Sequence, residues 1–413
     1  MTAAGDLLIR NARLITLAHG DVPRRGAAMR HLGVIERGDV LMRDGVIVEV
    51  GESLDARAAR EIDAAGRVVT PGLIDCHTHA CWAGDRLDEF EQRLAGADYL
   101  SILKAGGGIM STVRATRSAS ADELRRLTIA HLDRMLTFGT TTAEVKTGYG
   151  LTTDAECRML QAILAATEGE TASPMRLIPT FLGAHAIDRE QSDFIERTID
   201  ETLPTIVQMK PGIACDVYCE QGAWSLDETR RLFEAAQLLG CPLRVHTDQF
   251  NSLGTTRLAV AMGARSVDHL EAIAQEDVPL VARSGTAAVL LPISGLCTDG
   301  RYAPGRALID AGAIVALASN YNPGSAPSPS LPFAMALACR MMKLSPAEAL
   351  TACTVNAAHV LGLSDRIGRI APGLAADLVL WDERDERALA YEIAGAPPAA
   401  VIIAGRAVRS SES

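Results

Sequence analysis

Apolar and polar positions change rhythm twice along this chain. Residues 1–66 carry short apolar stretches that partly alternate with polar ones: Leu7-Leu8-Ile9-Arg10, Asp39-Val40-Leu41-Met42 and Gly45-Val46-Ile47-Val48-Glu49-Val50. A period near two places successive side chains on opposite faces of a strand, and an Asp-Gly pair suits a tight hairpin turn. The segment therefore predicts an antiparallel sheet.

From Val68 onward, short runs rich in Val, Ile and Leu alternate with longer segments of helical period. That alternation marks βαβ units and a parallel sheet. The runs are 68–75, 140–146, 176–182, 213–218, 242–245, 266–269, 286–291 and 314–317, with helices predicted between them, as at 121–136, 229–239 and 255–262. Eight βα repeats predict an α/β fold, a TIM-type (β/α)8 barrel over 67–365. Pattern alone also admits a doubly wound sheet of seven or nine strands. Past Leu363 the strand texture returns at 368–373, 376–382 and 399–403. The two ends, 1–66 and 366–413, are expected to pair into one small β-sandwich domain beside the barrel.

A length of 413 residues, 48% of them apolar, is enough for a large barrel with a satellite. Charges of both signs are interspersed to a net of −11, which argues against a nucleic-acid partner. The start, Met1-Thr2-Ala3-Ala4-Gly5-Asp6, has no basic region leading into an apolar stretch, so no signal peptide is expected. Apolar runs fall far short of the roughly 20 residues a membrane helix needs, so no membrane partner is expected either. Nine scattered cysteines without a repeated Cys-x-x-Cys read as buried free thiols in a reducing cytoplasm.

The chemistry gathers just past the apolar runs, which in a barrel is the C-terminal rim of the strands. The first run ends Asp75-Cys76-His77-Thr78-His79, and residues two apart on a strand point the same way, so both imidazoles can reach one ion. His185 follows the third run, His246 ends the fifth and His269 ends the sixth. Five of the nine histidines thus stand at strand ends. His19, His31, His131 and His359 do not, and read as structural or solvated. Neutral imidazoles with one more ligand suit Zn²⁺ or Fe²⁺, and such an ion acidifies a bound water. A carboxylate at the end of the eighth run would complete the set.

Longer motifs carry a resemblance over nearly the whole chain. Pro71-Gly72-Leu73-Ile74-Asp75-Cys76-His77-Thr78-His79 and Gly373-Leu374-Ala375-Ala376-Asp377-Leu378-Val379 resemble the amidohydrolase superfamily. Gly84-Asp85-Arg86, Gly106-Gly107-Gly108-Ile109, Lys146-Thr147-Gly148-Tyr149-Gly150-Leu151, His246-Thr247-Asp248-Gln249 and Asn322-Pro323-Gly324-Ser325 are similar to the imidazolonepropionases within it. The resemblance implies a cytoplasmic hydrolase of histidine degradation that opens 4-imidazolone-5-propanoate to N-formimidoyl-glutamate. It implies one divalent metal, Zn or Fe, held by His77, His79, His246 and residue 320. It also implies a catalytic set of His269, Gln249 and Asn320, with acid–base work by His269, and substrate contacts from Arg86, Tyr149, His185, Gln249, Asn322, Gly324 and Ser325. The partner it implies is a small five-membered-ring propionate, and the assembly a homodimer. From chemistry alone, Arg86 offers a planar fork for a carboxylate, and Gly324 and Ser325 offer donors in a tight turn. Lys146 reads as a structural ion-pair partner, and the glycines at 106–108 as a mobile lid rather than a phosphate cradle.

Two positions depart from that pattern. The family carries Asp where Asn320 stands, and an amide is neutral, ligates weakly and accepts no proton near pH 7. After the seventh run, residues 294–299 form an altered loop without the usual aromatic pair, and Cys297 there could be a recruited nucleophile, a ligand or a bystander. The alternatives this opens are a paralogue acting on a related ring, such as a thiohydantoin propionate, and an inactivated variant or non-catalytic binder of small acids.

Overall fold

Short apolar strands line up in chain order because each is followed by a helix that returns the chain to the same end of the sheet. The computed structural model describes residues 6–96, 107–394 and 397–410. The chain-end strands are β1 (Leu7–Ile15), β2 (Val34–Arg43), β3 (Val46–Gly51), β4 (Arg60–Asp63) and β5 (Val68–Pro71). The barrel strands are β6 (Leu73–Asp75), β7 (Thr140–Lys146), β8 (Arg176–Ala184), β9 (Ala214–Tyr218), β10 (Leu243–Thr247), β11 (Ser266–His269), β12 (Ala287–Leu290) and β13 (Val315–Leu317). Then come β14 (Leu378–Trp381), β15 (Pro398–Ile403) and β16 (Arg406–Ser410).

Strands β6 to β13 form one sheet in sequence order, and every pairing between neighbours is parallel. The ends meet just past the strands. Asn320 N donates to His77 O at 3.1 Å and His79 N to Tyr321 O at 3.0 Å. Asp75 accepts from Ser319 N at 3.1 Å and from Ser319 Oγ at 2.5 Å. This is the (β/α)8 barrel that the repeat count predicts.

The other sheet runs β16-β15-β14-β5-β1-β2-β3, with β4 alongside β1, so strands from both chain ends share one hydrogen-bonded layer. It is mixed rather than purely antiparallel, because β1 pairs parallel with β4 and β5. Asp44 and Gly45, at φ 48° and 80°, make the turn between β2 and β3. Alternate residues of these strands, such as Leu7, Ile9, Val40, Met42, Leu378 and Ile402, pack into a core of their own.

The run at 68–75 is two strands rather than one. β5 pairs with β14 in the chain-end sheet and β6 with β7 in the barrel. Gly72 divides them where a Cβ would lie 2.1 Å from Thr141 Oγ1, so no side chain fits at the crossing. Two further expectations change. Residues 368–373 are not a strand, although Ile370 N still bonds Thr16 O at 2.8 Å. The helix expected from residue 229 starts at Leu226, because Ser225 and Glu228 form a capping box. Among the described residues, no helix is long and apolar enough to cross a membrane.

Candidate active site

Four of the five strand-end histidines, all but His79, have a partner on Nδ1 that orients the ring. His77 Nδ1 lies 2.6 Å from Asp268 Oδ2, and His246 Nδ1 lies 3.1 Å from Asp216 Oδ1. A carboxylate on Nδ1 takes the proton there and leaves the Nε2 lone pair facing inward. Among the described residues, Nε2 of His77, Nδ1 of His79 and Oδ1 of Asn320 are buried with no hydrogen-bond partner. His246 Nε2 and His79 Nε2 stand 3.3 Å apart. Ring nitrogens of His77, His246 and His269 lie within 4.8 Å of one another. That compact trio takes in His269 and leaves His79 beside it, paired with His246.

Burial keeps these imidazoles neutral. It pushes His77 and His79 well below the usual histidine range, and His246 down to about 4 against the opposing pull of Asp216. Neutral imidazoles gathered where water is scarce, with an orphaned amide oxygen on a residue bonded to the His77 backbone, are a donor set that fits a divalent metal.

The remaining residues line the approach to this cluster. His185 stacks on His79 at 4.7 Å between centroids, its Nδ1 tied to Gly148 O at 3.1 Å, and burial lowers it to about 3. Tyr149 lies 5.1 Å from His185 and 5.9 Å from His79, ring to ring, and burial raises its phenol. Its loop hangs on Glu156, which accepts from Gly148 N, Gly150 N and Leu151 N at 2.8–2.9 Å. Gln249 is buried, with Nε2 3.4 Å from Ser294 Oγ. His269 takes a left-handed φ of 87°, and its Nδ1 lies 3.1 Å from Glu271 Oε1.

The turn after Asn320 is closed by its own hydrogen bonds. Asn322 Oδ1 accepts from Gly324 N and Ser325 N, both at 2.8 Å, and Asn322 Nδ2 reaches Ser325 Oγ at 3.1 Å. The donors that the sequence offers to a carboxylate are therefore engaged within the turn. Arg86 stands over it: a Cβ on Gly324 would lie 3.2 Å from Arg86 Nη1. The guanidinium pairs with Glu89, which also accepts from Gly108 N at 2.8 Å, while Arg86 Nε is buried and has no partner among the described residues. Arg86 is thus no surface ion pair.

Of the glycines at 106–108, Gly106 lies outside the described residues, and Gly108 precedes the helix Ile109–Ser118. Residues 292–297 are a short helix rather than a loop, Pro292–Cys297. Cys297 packs against the apolar cluster of Ile293, Ala326, Ala334 and Leu337, and burial raises its thiol, so it is a poor nucleophile.

A model of the amidohydrolase family matches residues 68–408. The chain belongs to the amidohydrolase family. It is 46% identical to an imidazolonepropionase of Chloroflexus aggregans, over 98% of this chain and 99% of that one. It is 46% identical to an imidazolonepropionase of Deinococcus radiodurans, over 93% and 95%. Among solved structures, this amidohydrolase resembles a zinc-bound adenosine deaminase of Xanthomonas campestris (TM-score 0.70, 21% identity, 98% of this chain and 93% of that one). It also resembles a 5-methylcytosine deaminase of Klebsiella pneumoniae (TM-score 0.73, 18% identity, 98% of each). These structural likenesses concern the fold.

Sequence reading found the histidines and missed the acids behind them. Asp216, Asp268 and Glu144 are fully buried. A charged residue inside an apolar strand was the available signal, since buried charge needs a partner.

Proposed function

We propose that this amidohydrolase opens a five-membered cyclic amide as an imidazolonepropionase does, converting 4-imidazolone-5-propanoate and water to N-formimidoyl-glutamate. The observation that supports it most is the pair of carboxylate-locked imidazoles, His77 and His246, with His79 Nε2 3.3 Å from His246 Nε2 and Asn320 tied to the His77 backbone. Relatives named imidazolonepropionase align along almost the entire chain, which leaves the related-ring and non-catalytic alternatives without support.

In this reading His77, His79, His246 and Asn320 hold one ion, zinc or iron. When bound, a divalent metal there acidifies water and polarises a carbonyl oxygen. The water oxygen bonds the ring carbonyl carbon, the ring carbon–nitrogen bond breaks, and a proton passes to the departing nitrogen. Asn320 cannot carry that proton, so the work falls to His269, oriented by Glu271. Tyr149 and His185 flank the ring, and Gln249 presents its amide to it. Arg86, fixed by Glu89, meets the propionate as a planar fork, with Asn322, Gly324 and Ser325 shaping the turn beneath.

The test is turnover by metal-analysed protein, following loss of 4-imidazolone-5-propanoate and appearance of N-formimidoyl-glutamate by mass spectrometry. Metal-loaded, folded protein that binds this ring without opening it, or opens only a thiohydantoin propionate, overturns the assignment.

A further inference from the structure

Beneath the histidines, an unbroken chain of buried charges runs from one candidate ligand to another. Asp268 Oδ2 meets His77 Nδ1 at 2.6 Å and accepts from Arg244 Nη2 at 2.8 Å. Arg244 Nη1 donates to Glu144 Oε1 at 2.6 Å. Lys146 Nζ donates to Glu144 at 2.8 Å and to Asp216 Oδ2 at 2.7 Å. Asp216 Oδ1 then meets His246 Nδ1 at 3.1 Å. Thr180 Oγ1 adds a bond to Glu144 Oε1 at 2.6 Å. Glu144, Lys146, Asp216 and Asp268 have no exposed surface, and Arg244 is 1% exposed.

Glu144 touches neither imidazole. It is nonetheless the link between Arg244, which serves the His77 side, and Lys146, which serves the His246 side. Removing it would leave two separate pairs able to shift independently. Buried charge is tolerated only where its partners hold it in place, so the bonds of Glu144 to both cations fix the two ends of the chain relative to each other.

We propose that Glu144 is a positioning residue for the metal centre: it joins the His77–Asp268 and His246–Asp216 pairs into one unit. This rests on the metal-site reading above. Glu144→Gln keeps the side chain's size and removes its charge, and Glu144→Asp keeps the charge but shortens the reach. Zinc affinity is read by competition with a coloured chelator, together with the visible spectrum of the cobalt(II) protein and unfolding temperatures with and without zinc.

Glu144→Gln is expected to bind zinc at least about tenfold more weakly, as loss of an outer partner commonly does. Its cobalt spectrum shifts, its gain in unfolding temperature on zinc addition shrinks, and Glu144→Asp recovers part of each. A folded Glu144→Gln protein with the parent's zinc affinity and cobalt spectrum overturns the proposal and leaves Glu144 a structural ion-pair member. If that variant does not fold, Glu144→Asp decides, because the shortened side chain cannot span Arg244 and Lys146 together: an affinity and spectrum unchanged from the parent overturn it equally. His77→Ala run in parallel separates the two readings, because undiminished zinc binding there sinks the metal site itself.

Discussion

The backbone N–H of Asn320 donates to the carbonyl of His77 at 3.1 Å, which fixes where side chain 320 stands relative to the first histidine whatever its chemistry. Asn320 sits at a left-handed φ of 56°, a conformation that Asn and Asp tolerate better than other side chains. Asn320→Asp therefore changes charge without moving the side chain. Turnover of 4-imidazolone-5-propanoate is expected to rise about 10²-fold or more, the scale of a restored general acid–base group. Steady-state assays at matched metal content check it. No gain would mean that a carboxylate at 320 adds nothing to the proton transfer that His269 and Glu271 provide.

Metal removal should abolish turnover and lower the unfolding temperature together, because an ion bound only by the folded chain stabilises it. Zinc or ferrous iron should restore both. His246→Ala should lose the metal-dependent part of the unfolding temperature, measured by scanning with and without chelator.

Arg86→Met removes a guanidinium whose Nε is buried and has no partner among the described residues. Losing a charge-assisted contact of about 1.5–3 kcal/mol should raise KM for the propionate roughly 10- to 100-fold and change kcat much less. A substrate lacking the carboxylate should barely distinguish variant from parent. Equal loss on both substrates would assign Arg86 to packing.

His131 stacks on Trp82 at 3.6 Å between centroids, and burial lowers it to about 4. The unfolded chain, with histidine near 6.5, binds this proton while the folded chain does not, so stability declines as pH falls from about 6.5 to 4. His131→Phe should flatten that decline by roughly 3 kcal/mol across the window, after a small constant cost for Ala80 O, which loses its bond to His131 Nδ1 (3.0 Å). Urea titrations at several pH values measure the slope. An unchanged slope would place the acid sensitivity elsewhere.

Gly72→Ala would set a methyl 2.1 Å from Thr141 Oγ1 and 2.5 Å from its Cγ2. A loss of several kcal/mol is expected, within or above the roughly 1–3 kcal/mol usual for overpacking. Thr141→Ala in the same chain should recover part of it. Recovery stays partial because the Thr141 Cβ, 2.8 Å away, remains. Denaturant unfolding of both variants tests the crossing.

The sequence by itself determined the alternation of strands and helices and the histidine layer, while strand order decided for the barrel over a doubly wound sheet. Strand periodicity and helical spacing are local properties, so 140–146, 266–269 and 121–136 match Thr140–Lys146, Ser266–His269 and Ala121–Leu136 without shift. It could not show that 68–75 breaks at Gly72, because the reason is Thr141, a residue on another strand. Nor could it pair His77 with Asp268 or His246 with Asp216, residues 191 and 30 positions apart. Partners that distant are chosen by strand order and register, and only folding decides which carboxylate reaches which ring. The same holds for the turn after Asn320. Its composition offers donors to a ligand, but the closed geometry spends them on Asn322, because a buried amide takes the nearest donor that the fold supplies.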